Sequence, residues 1–366
     1  MKVVLSGGGT AGHINPALAL ADELRARGCE VCFAGTPTGV EARLVAQAGI
    51  EFVPFAAAGF DRQKPWTLFT STARIAASAR AAKRWMREIR PDAAVAFGGY
   101  VCIPVGLAAS ALGVPLAVHE QNSVMGMANK FLAKRAAAVA LTYEAAGKDV
   151  ADAAKVAVTG NPVRRSVLSA TRAEGRAMLG IPEDATMLLV FGGSLGARHI
   201  NRAVGALKAE LLARPGLFVV HITGPKEFDA VQDELALAPD EAKRWIVMPY
   251  QDRMAETLAA ADCVVSRAGA TSLAEISALG LPALLVPFPF AAEDHQTTNA
   301  AAYVERGAAF VQRDDELDGS SFSRKLFALV DDESVRRRMR EAAAGFETRD
   351  AAGNLADVVC RIARAR

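Results

Sequence analysis

Residues 2–12 read Lys2-Val3-Val4-Leu5-Ser6-Gly7-Gly8-Gly9-Thr10-Ala11-Gly12, a short apolar run that breaks straight into glycine, and residues 16–27 then carry apolar side chains at helical spacing. Strand, glycine turn and helix in that order open a nucleotide-binding parallel sheet. Glycine lets the backbone approach a diphosphate, and the helix start offers unpaired N–H groups and a partial positive charge. The same order restarts halfway along, where Met187-Leu188-Leu189-Val190-Phe191 runs into Gly192-Gly193-Ser194-Leu195-Gly196. Two Rossmann-like, doubly wound α/β domains are the simplest account.

Working outward, β-rich runs at 2–6, 30–34, 93–97, 116–119 and 139–141 predict the strands of the first domain. Runs at 187–191, 218–223, 246–248, 263–266 and 283–286 predict those of the second. Amphipathic stretches separate them, as parallel sheets with helices on both faces require. Gly160-Asn161-Pro162-Val163-Arg164 interrupts the pattern with turn residues, so the expected domains are 1–161 and 162–349. Residues 350–366 form a closing helix, with Leu355, Val358, Val359 and Ile362 on one face, expected to pack on the first domain.

The composition is that of a soluble globular protein: 51% apolar, with 42 basic against 40 acidic residues. No global bias toward nucleic acid exists. Five scattered cysteines suggest a reducing compartment. Cys29 and Cys32 would point to opposite faces of a strand and lack further ligands, which argues against a zinc or redox pair. The start has no apolar leader pattern, so no secretory signal is expected. Residues 97–118 carry no charge and imitate a membrane span in length. Gly98, Gly99, Pro104, Gly106, Gly113 and Pro115 divide that stretch, so a buried strand–helix–strand unit is expected instead.

Gly7-x-Gly9-x-x-Gly12 matches the dinucleotide fingerprint formally, but that fingerprint wants an acid at the end of the second strand. Gly35-Thr36-Pro37 stands there, and Glu41 lies beyond a turn, so a nicotinamide or flavin role is disfavoured. A third turn, Ser266-Arg267-Ala268-Gly269-Ala270-Thr271-Ser272-Leu273-Ala274-Glu275, follows a strand, with a helix expected from Ser272. Glu275 is suited either to a ribose diol or to the helix dipole. Three such turns in one chain favour a nucleotide diphosphate.

Taken in order, these stretches resemble the MurG family of peptidoglycan glycosyltransferases. The resemblance rests on Gly8-Gly9-Thr10-Ala11-Gly12-His13-x-x-Pro16, Gly98-Gly99-Tyr100, His119-Glu120-Gln121-Asn122 and Gly160-Asn161-Pro162-Val163-Arg164. It continues through Gly192-Gly193-Ser194-x-Gly196-Ala197, Arg267-x-Gly269-Ala270-x-Ser272-x-x-Glu275 and Gln296-x-x-Asn299-Ala300, nearly the whole chain. It implies a GT-B architecture, two Rossmann-like domains facing across a cleft, and transfer of GlcNAc from UDP-GlcNAc to the muramyl 4-hydroxyl of lipid I, with inversion.

By that resemblance the second domain holds the donor. Ser194 and the turn Ala270, Thr271, Ser272, Leu273, Ala274 and Glu275 would meet diphosphate and ribose, with Arg164 from the hinge side. Backbone at Gln251 would meet uracil, and Gln296 the sugar hydroxyls. Thr10, Ala11, Gly12 and Asn122 would close over the sugar. Ala11 stands where the family usually has glycine, and Leu195 where a polar residue is common.

Displacement at an anomeric carbon needs a deprotonated acceptor hydroxyl and a stabilised UDP leaving group. No Asp-x-Asp metal motif occurs in the chain. No cofactor or metal is therefore expected, and helix starts, Ser194 and Arg164 would receive the charge. His13, at the first helix start, is the leading general base, because the positive end of a helix favours neutral imidazole. A capping or positioning histidine is its alternative role. Glu120 is a rival base or an orienting partner. His199, His221 and His295 have no such placement, although His295 adjoins Gln296.

Residues 60–90 hold eight basic side chains against Asp61 and Glu88, a local charge of +6, interleaved with Phe60, Trp66, Leu68, Phe69 and Trp85. That mixture suits an anionic membrane surface, so a peripheral protein on the cytoplasmic leaflet is expected. The partners expected are thus UDP-GlcNAc, a polyprenyl-pyrophosphate-linked muramyl-pentapeptide and anionic lipid, with no nucleic acid. Three other readings share parts of this pattern. A UDP-GlcNAc 2-epimerase would need no acceptor, a diacylglycerol glycolipid synthase would differ only in acceptor, and a sugar-nucleotide sensor would bind without turnover.

Overall fold

The computed structural model describes residues 1–55, 67–193, 196–344, 346 and 349–365, with backbone alone for 67–72 and 292. The chain divides into two compact units, Met1–Arg164 with Thr348–Arg366, and Arg165–Glu347.

The first unit is built on seven strands: β1 (Lys2–Ser6), β2 (Glu30–Gly35), β3 (Glu51–Pro54), β4 (Ala93–Ala96), β5 (Leu116–Glu120), β6 (Ala138–Leu141) and β7 (Val156–Val158). All pairs are parallel, in the order β3-β2-β1-β4-β5-β6-β7. Helices cover both faces, so the central strands read as unbroken apolar runs and not as alternation. Val3, Leu5, Val95 and Ala117 pack on the face covered by helices Ala11–Ala26 and Ala351–Arg364, while Val4, Ala94, Ala96 and Val118 face helices Thr67–Ile89 and Cys102–Leu112.

Helix Ala351–Arg364 packs against Ala11–Ala26 and beneath β4, β5 and β6. Its Leu355 and Val359 are fully buried in that core. Each contributes roughly 1.5–3 kcal/mol of apolar burial. The uncharged stretch 97–118 resolves into a glycine turn directly after β4, helix Cys102–Leu112 and the start of β5. Among the described residues no helix is long and apolar enough to cross a membrane.

The second unit holds β8 (Thr186–Phe191), β9 (Leu217–Ile222), β10 (Trp245–Met248), β11 (Cys263–Ser266), β12 (Ala283–Leu285) and β13 (Ala309–Val311). They pair in parallel in the order β10-β9-β8-β11-β12-β13. Both sheets therefore reverse strand order once, between β1 and β4 and between β8 and β11. At such a point two neighbouring chain crossovers leave in opposite directions, opening a crevice beyond the strand carboxyl ends. The expected pair of Rossmann-like sheets is present. Strands β3, β7 and β13 were not expected; each lies at a sheet edge and is only three or four residues long.

Candidate active site

In the first unit the turn after β1 and the turn after β4 meet at the switch point. Gly99 has φ +79°, and a Cβ there would lie 2.5 Å from the Gly8 carbonyl oxygen, so only glycine permits the approach. Thr10 is the extended residue before helix Ala11–Ala26, and His13 lies in its first turn. The His13 ring packs over Gly98, and its Nδ1 sits 2.9 Å from the Gly8 carbonyl oxygen. A carbonyl only accepts, so Nδ1 carries the proton and Nε2 presents the lone pair. Ala11, Gly12 and His13 are all half-buried.

Glu41 was overlooked as a site residue. It is fully buried at the start of helix Val40–Gln47, and its carboxylate turns back toward the first glycine turn. It accepts from the Thr36 N–H at 3.1 Å, from the Thr36 hydroxyl, and from the Gly9 N–H at 3.4 Å. A Cβ on Gly8 would stand 2.6 Å from its Oε1. A buried carboxylate thus already takes one backbone N–H of this turn, that of Gly9. The signal available in sequence was an acid just after a helix-starting glycine, Gly39-Val40-Glu41.

Glu120 ends β5 and is 2% exposed. Its Oε1 accepts from the Asn122 N–H (3.0 Å) and side-chain amide (3.2 Å); its Oε2 accepts from the Gly126 N–H (3.0 Å) and Asn129 Nδ2 (2.8 Å). Four donors thus engage both oxygens of one buried carboxylate and tie together the loop 121–129. That geometry favours the orienting role over proton abstraction, and it fixes the side chain of Asn122. Beside it His119 is fully buried against Phe97, with ring centroids 5.4 Å apart. Its Nε2 donates to the Gly160 carbonyl (3.0 Å), and Nδ1 accepts from Gln121 Nε2 (3.1 Å). Burial pushes its pKa down to about 4.

In the second unit the turn after β8 and the turn after β11 occupy the equivalent positions. Ser194 and Leu195 lie outside the described residues. Helix Ala270–Ala278 begins at Ala270, two residues before the expected start, with Gly269 as its extended cap. Glu275 consequently sits in the second turn, 7% exposed, which removes the first-turn dipole role as an explanation. Leu273 and Ala274 turn into the core, and the Leu273 N–H is spent on the Gly269 carbonyl at 2.9 Å. Ala270 and Glu275 are buried, while Thr271 and Ser272 are half-buried.

Gln296 stands in the first turn of helix His295–Glu305. Its Oε1 accepts from the N–H groups of Ala268 (3.2 Å) and Phe288 (3.0 Å), joining the loops after β11 and β12. The amide nitrogen is the group it can turn to a sugar hydroxyl. Gln251 uses Oε1 to cap Arg253 N (2.9 Å) and Nε2 to reach the Met248 sulfur (3.5 Å), so its backbone is the part suited to a base edge. Arg164 is half-buried and closes the first unit in sequence, one residue before helix Arg165–Ser169.

The basic stretch forms the helix Thr67–Ile89, with Arg74, Arg80, Arg84 and Arg87 exposed. Spacings of four and three put the last three on one face. Phe60, Arg62, Lys64 and Trp66 lie outside the described residues. Trp85 turns inward onto Phe55, with centroids 5.5 Å apart, and packs on the core. It is a core aromatic. Exposed apolar surface lies instead on the short helix Met127–Ala133, where Met127 is 46% and Phe131 39% exposed beside Lys134 and Arg135.

Residues 3–141 match the glycosyltransferase family 28 N-terminal domain, and residues 187–355 its C-terminal domain. Relatives from Bacillus subtilis (strain 168) and Halalkalibacterium halodurans are each 38% identical. The first spans 98% of this chain and 99% of its own length, the second 100% of both. Both are named UDP-N-acetylglucosamine--N-acetylmuramyl-(pentapeptide) pyrophosphoryl-undecaprenol N-acetylglucosamine transferase. The crystal structure of Acinetobacter baumannii MurG, 29% identical, superposes with a TM-score of 0.72 over 98% of this chain and 99% of that one. A Listeria monocytogenes protein described as a putative UDP-N-acetylglucosamine 2-epimerase, 16% identical, has a TM-score of 0.70 over 96% and 94%, a likeness of fold alone. Two sheets with paired glycine turns at their switch points, and full-length relatives of one name, place the chain in glycosyltransferase family 28 and, within it, in the MurG family of N-acetylglucosamine transferases.

Proposed function

We propose that this protein transfers GlcNAc from UDP-GlcNAc to the 4-hydroxyl of a muramyl-pentapeptide carried on a polyprenyl pyrophosphate, with inversion and without a metal. The observation that carries the division of labour is Glu41. With a carboxylate already against the first glycine turn, a second anion there is repelled, so the donor diphosphate belongs to the second unit.

The donor is assigned to the start of helix Ala270–Ala278, with Ala270, Thr271 and Ser272 at the diphosphate and Glu275 at the ribose diol. Leu273 and Ala274 support that turn from the core. Backbone at Gln251 takes the uracil edge, Gln296 the sugar through its amide nitrogen, and Ser194 and Arg164 the phosphates. Thr10, Ala11, Gly12 and Asn122 are assigned to the transferred sugar. His13 Nε2 takes the proton of the acceptor hydroxyl as that oxygen attacks the anomeric carbon. The bond from that carbon to the UDP oxygen breaks in line, its electron pair leaves with UDP, and the proton passes later to solvent. Oriented N–H groups and arginine receive the leaving charge.

The basic face of helix Thr67–Ile89, with Met127 and Phe131 exposed in the same unit, supports peripheral binding at the cytoplasmic leaflet. Radiolabelled UDP-GlcNAc incubated with the purified protein and the lipid-linked muramyl-pentapeptide, with and without EDTA, tests the proposal. Label should move to the lipid phase equally in both. UDP release without acceptor, or activity abolished by EDTA and restored by magnesium, would count against it.

A further inference from the structure

Arg267 follows β11 inside the third glycine-containing turn, and its surroundings are unlike those of a phosphate-binding cation. One nitrogen, Nη1, donates to the carbonyls of Val286 (3.3 Å) and Pro287 (3.2 Å) and to Asp314 Oδ1 at 2.5 Å. The guanidinium also lies over the Phe288 ring, 5.4 Å from its centroid. The side chains of Arg267 and Asp314 are only 11% and 16% exposed. The pair is therefore largely withdrawn from water, where a charge-assisted bond keeps its strength. Arg267 is neutralised and pinned beside β12.

The second oxygen of Asp314 is also engaged. Oδ2 lies 3.0 Å from Nδ1 of His199, the second residue of helix Arg198–Gly205, which starts directly after the turn following β8. Nε2 of the same ring faces exposed Asp318 at 3.8 Å. One carboxylate from the loop after β13 thus ties the turn after β11 to the start of helix Arg198–Gly205, one through each oxygen. Sequence offered no reason to join these three residues, since 115 positions separate His199 from Asp314 and 47 separate Arg267 from Asp314.

We propose that Asp314 is a positioning residue for the donor diphosphate, acting through Arg267 and His199 to set the spacing between the starts of helices Arg198–Gly205 and Ala270–Ala278. It rests on the assignment of the donor to this unit. A diphosphate received by two helix starts needs both at the same time, and a shift of one by a fraction of an ångström weakens every N–H contact it makes. The carboxylate itself touches no substrate.

The test uses the full-length protein, UDP binding by calorimetry, and steady-state transfer to the lipid-linked acceptor. Asp314→Ala should weaken UDP binding and raise KM for UDP-GlcNAc by about tenfold, the scale of one charge-assisted hydrogen bond. The acceptor KM and the kcat at saturating donor should not move. Asp314→Asn, which still accepts from Arg267 through its carbonyl, should recover most of the loss. His199→Ala should weaken UDP by a few fold, and the double variant should be no worse than Asp314→Ala, because both act through one network. Unchanged UDP affinity in Asp314→Ala, strictly additive losses, or a fall in kcat alone would overturn the inference. If the unaltered protein fails to bind UDP, the donor assignment falls and this inference with it; normal binding that survives Asp314→Ala removes this inference alone.

Discussion

The Nδ1–H of His13 donates to the carbonyl of Gly8 across 2.9 Å, and this single bond selects the tautomer in which Nε2 is an acceptor. Gly8 is in turn confined on one side by Glu41 and on the other by Gly99, so the imidazole is oriented by a rigid turn and not by its own rotamer preference. His13→Ala should lower kcat by about 100- to 10,000-fold, the range for a lost general base, while UDP affinity stays normal. Steady-state kinetics with calorimetry checks this; near-normal turnover would remove His13 from the mechanism.

Glu41 acts on the same ring from further back. Glu41→Gln keeps the volume but sets an amide N–H against the donors of Thr36 or Gly9. One unmade buried bond costs about 1–3 kcal/mol. We expect a lower urea midpoint for the protein and a kcat reduced by about tenfold as the turn loosens. KM for UDP-GlcNAc should hold steady, and a raised donor KM would place the diphosphate at this turn after all.

His119 predicts an acid limb of stability. Burial lowers its pKa from 6.5 to about 4 in the folded protein, so the unfolded chain binds the extra proton first. Stability is complete above pH 6.5 and is lost as pH falls toward 4, by about 3 kcal/mol in all. His221 in the second unit, lowered to about 4 by the same cause, adds its own loss over the same window. Urea unfolding at pH 7.5 and pH 5 should show the difference, and equal midpoints would mean that neither ring is held neutral.

Charge reversal on the basic helix separates membrane binding from catalysis. Arg80→Glu, Arg84→Glu and Arg87→Glu together should weaken flotation with anionic vesicles, since each cation near such a surface contributes on the order of 1 kcal/mol. Binding of the unaltered protein should fall as salt rises. Transfer to a water-soluble acceptor analogue should be unaffected, because these side chains lie on an exposed face. Flotation that persists in the variant at high salt would assign the interaction to apolar surface such as Met127 and Phe131.

How much could be read without coordinates follows from the range of the forces involved. The central strands and the glycine turns were legible because each is written in contiguous residues. A buried parallel strand must be apolar on both faces, and a turn that approaches a diphosphate must be glycine-rich. The edge strands β3, β7 and β13 escaped notice because three or four residues paired on one side only carry no periodic signal. The helix Ala270–Ala278 was expected two residues late, since its cap is a glycine, Gly269, and makes no side-chain bond.

What tertiary structure alone decided is which side chain faces which. Glu41 reaches Gly9 across 32 positions, and Asp314 reaches His199 across 115. Neither pairing leaves a local trace, because a carboxylate in a first helical turn looks the same whether it meets solvent or a glycine loop. The division between His13 as a ring with a presented lone pair and Glu120 as a saturated loop clamp likewise depends on hydrogen-bond partners. Local spacing specifies elements because backbone sterics act between neighbours; roles at the site are set by through-space contacts between elements that only folding brings together.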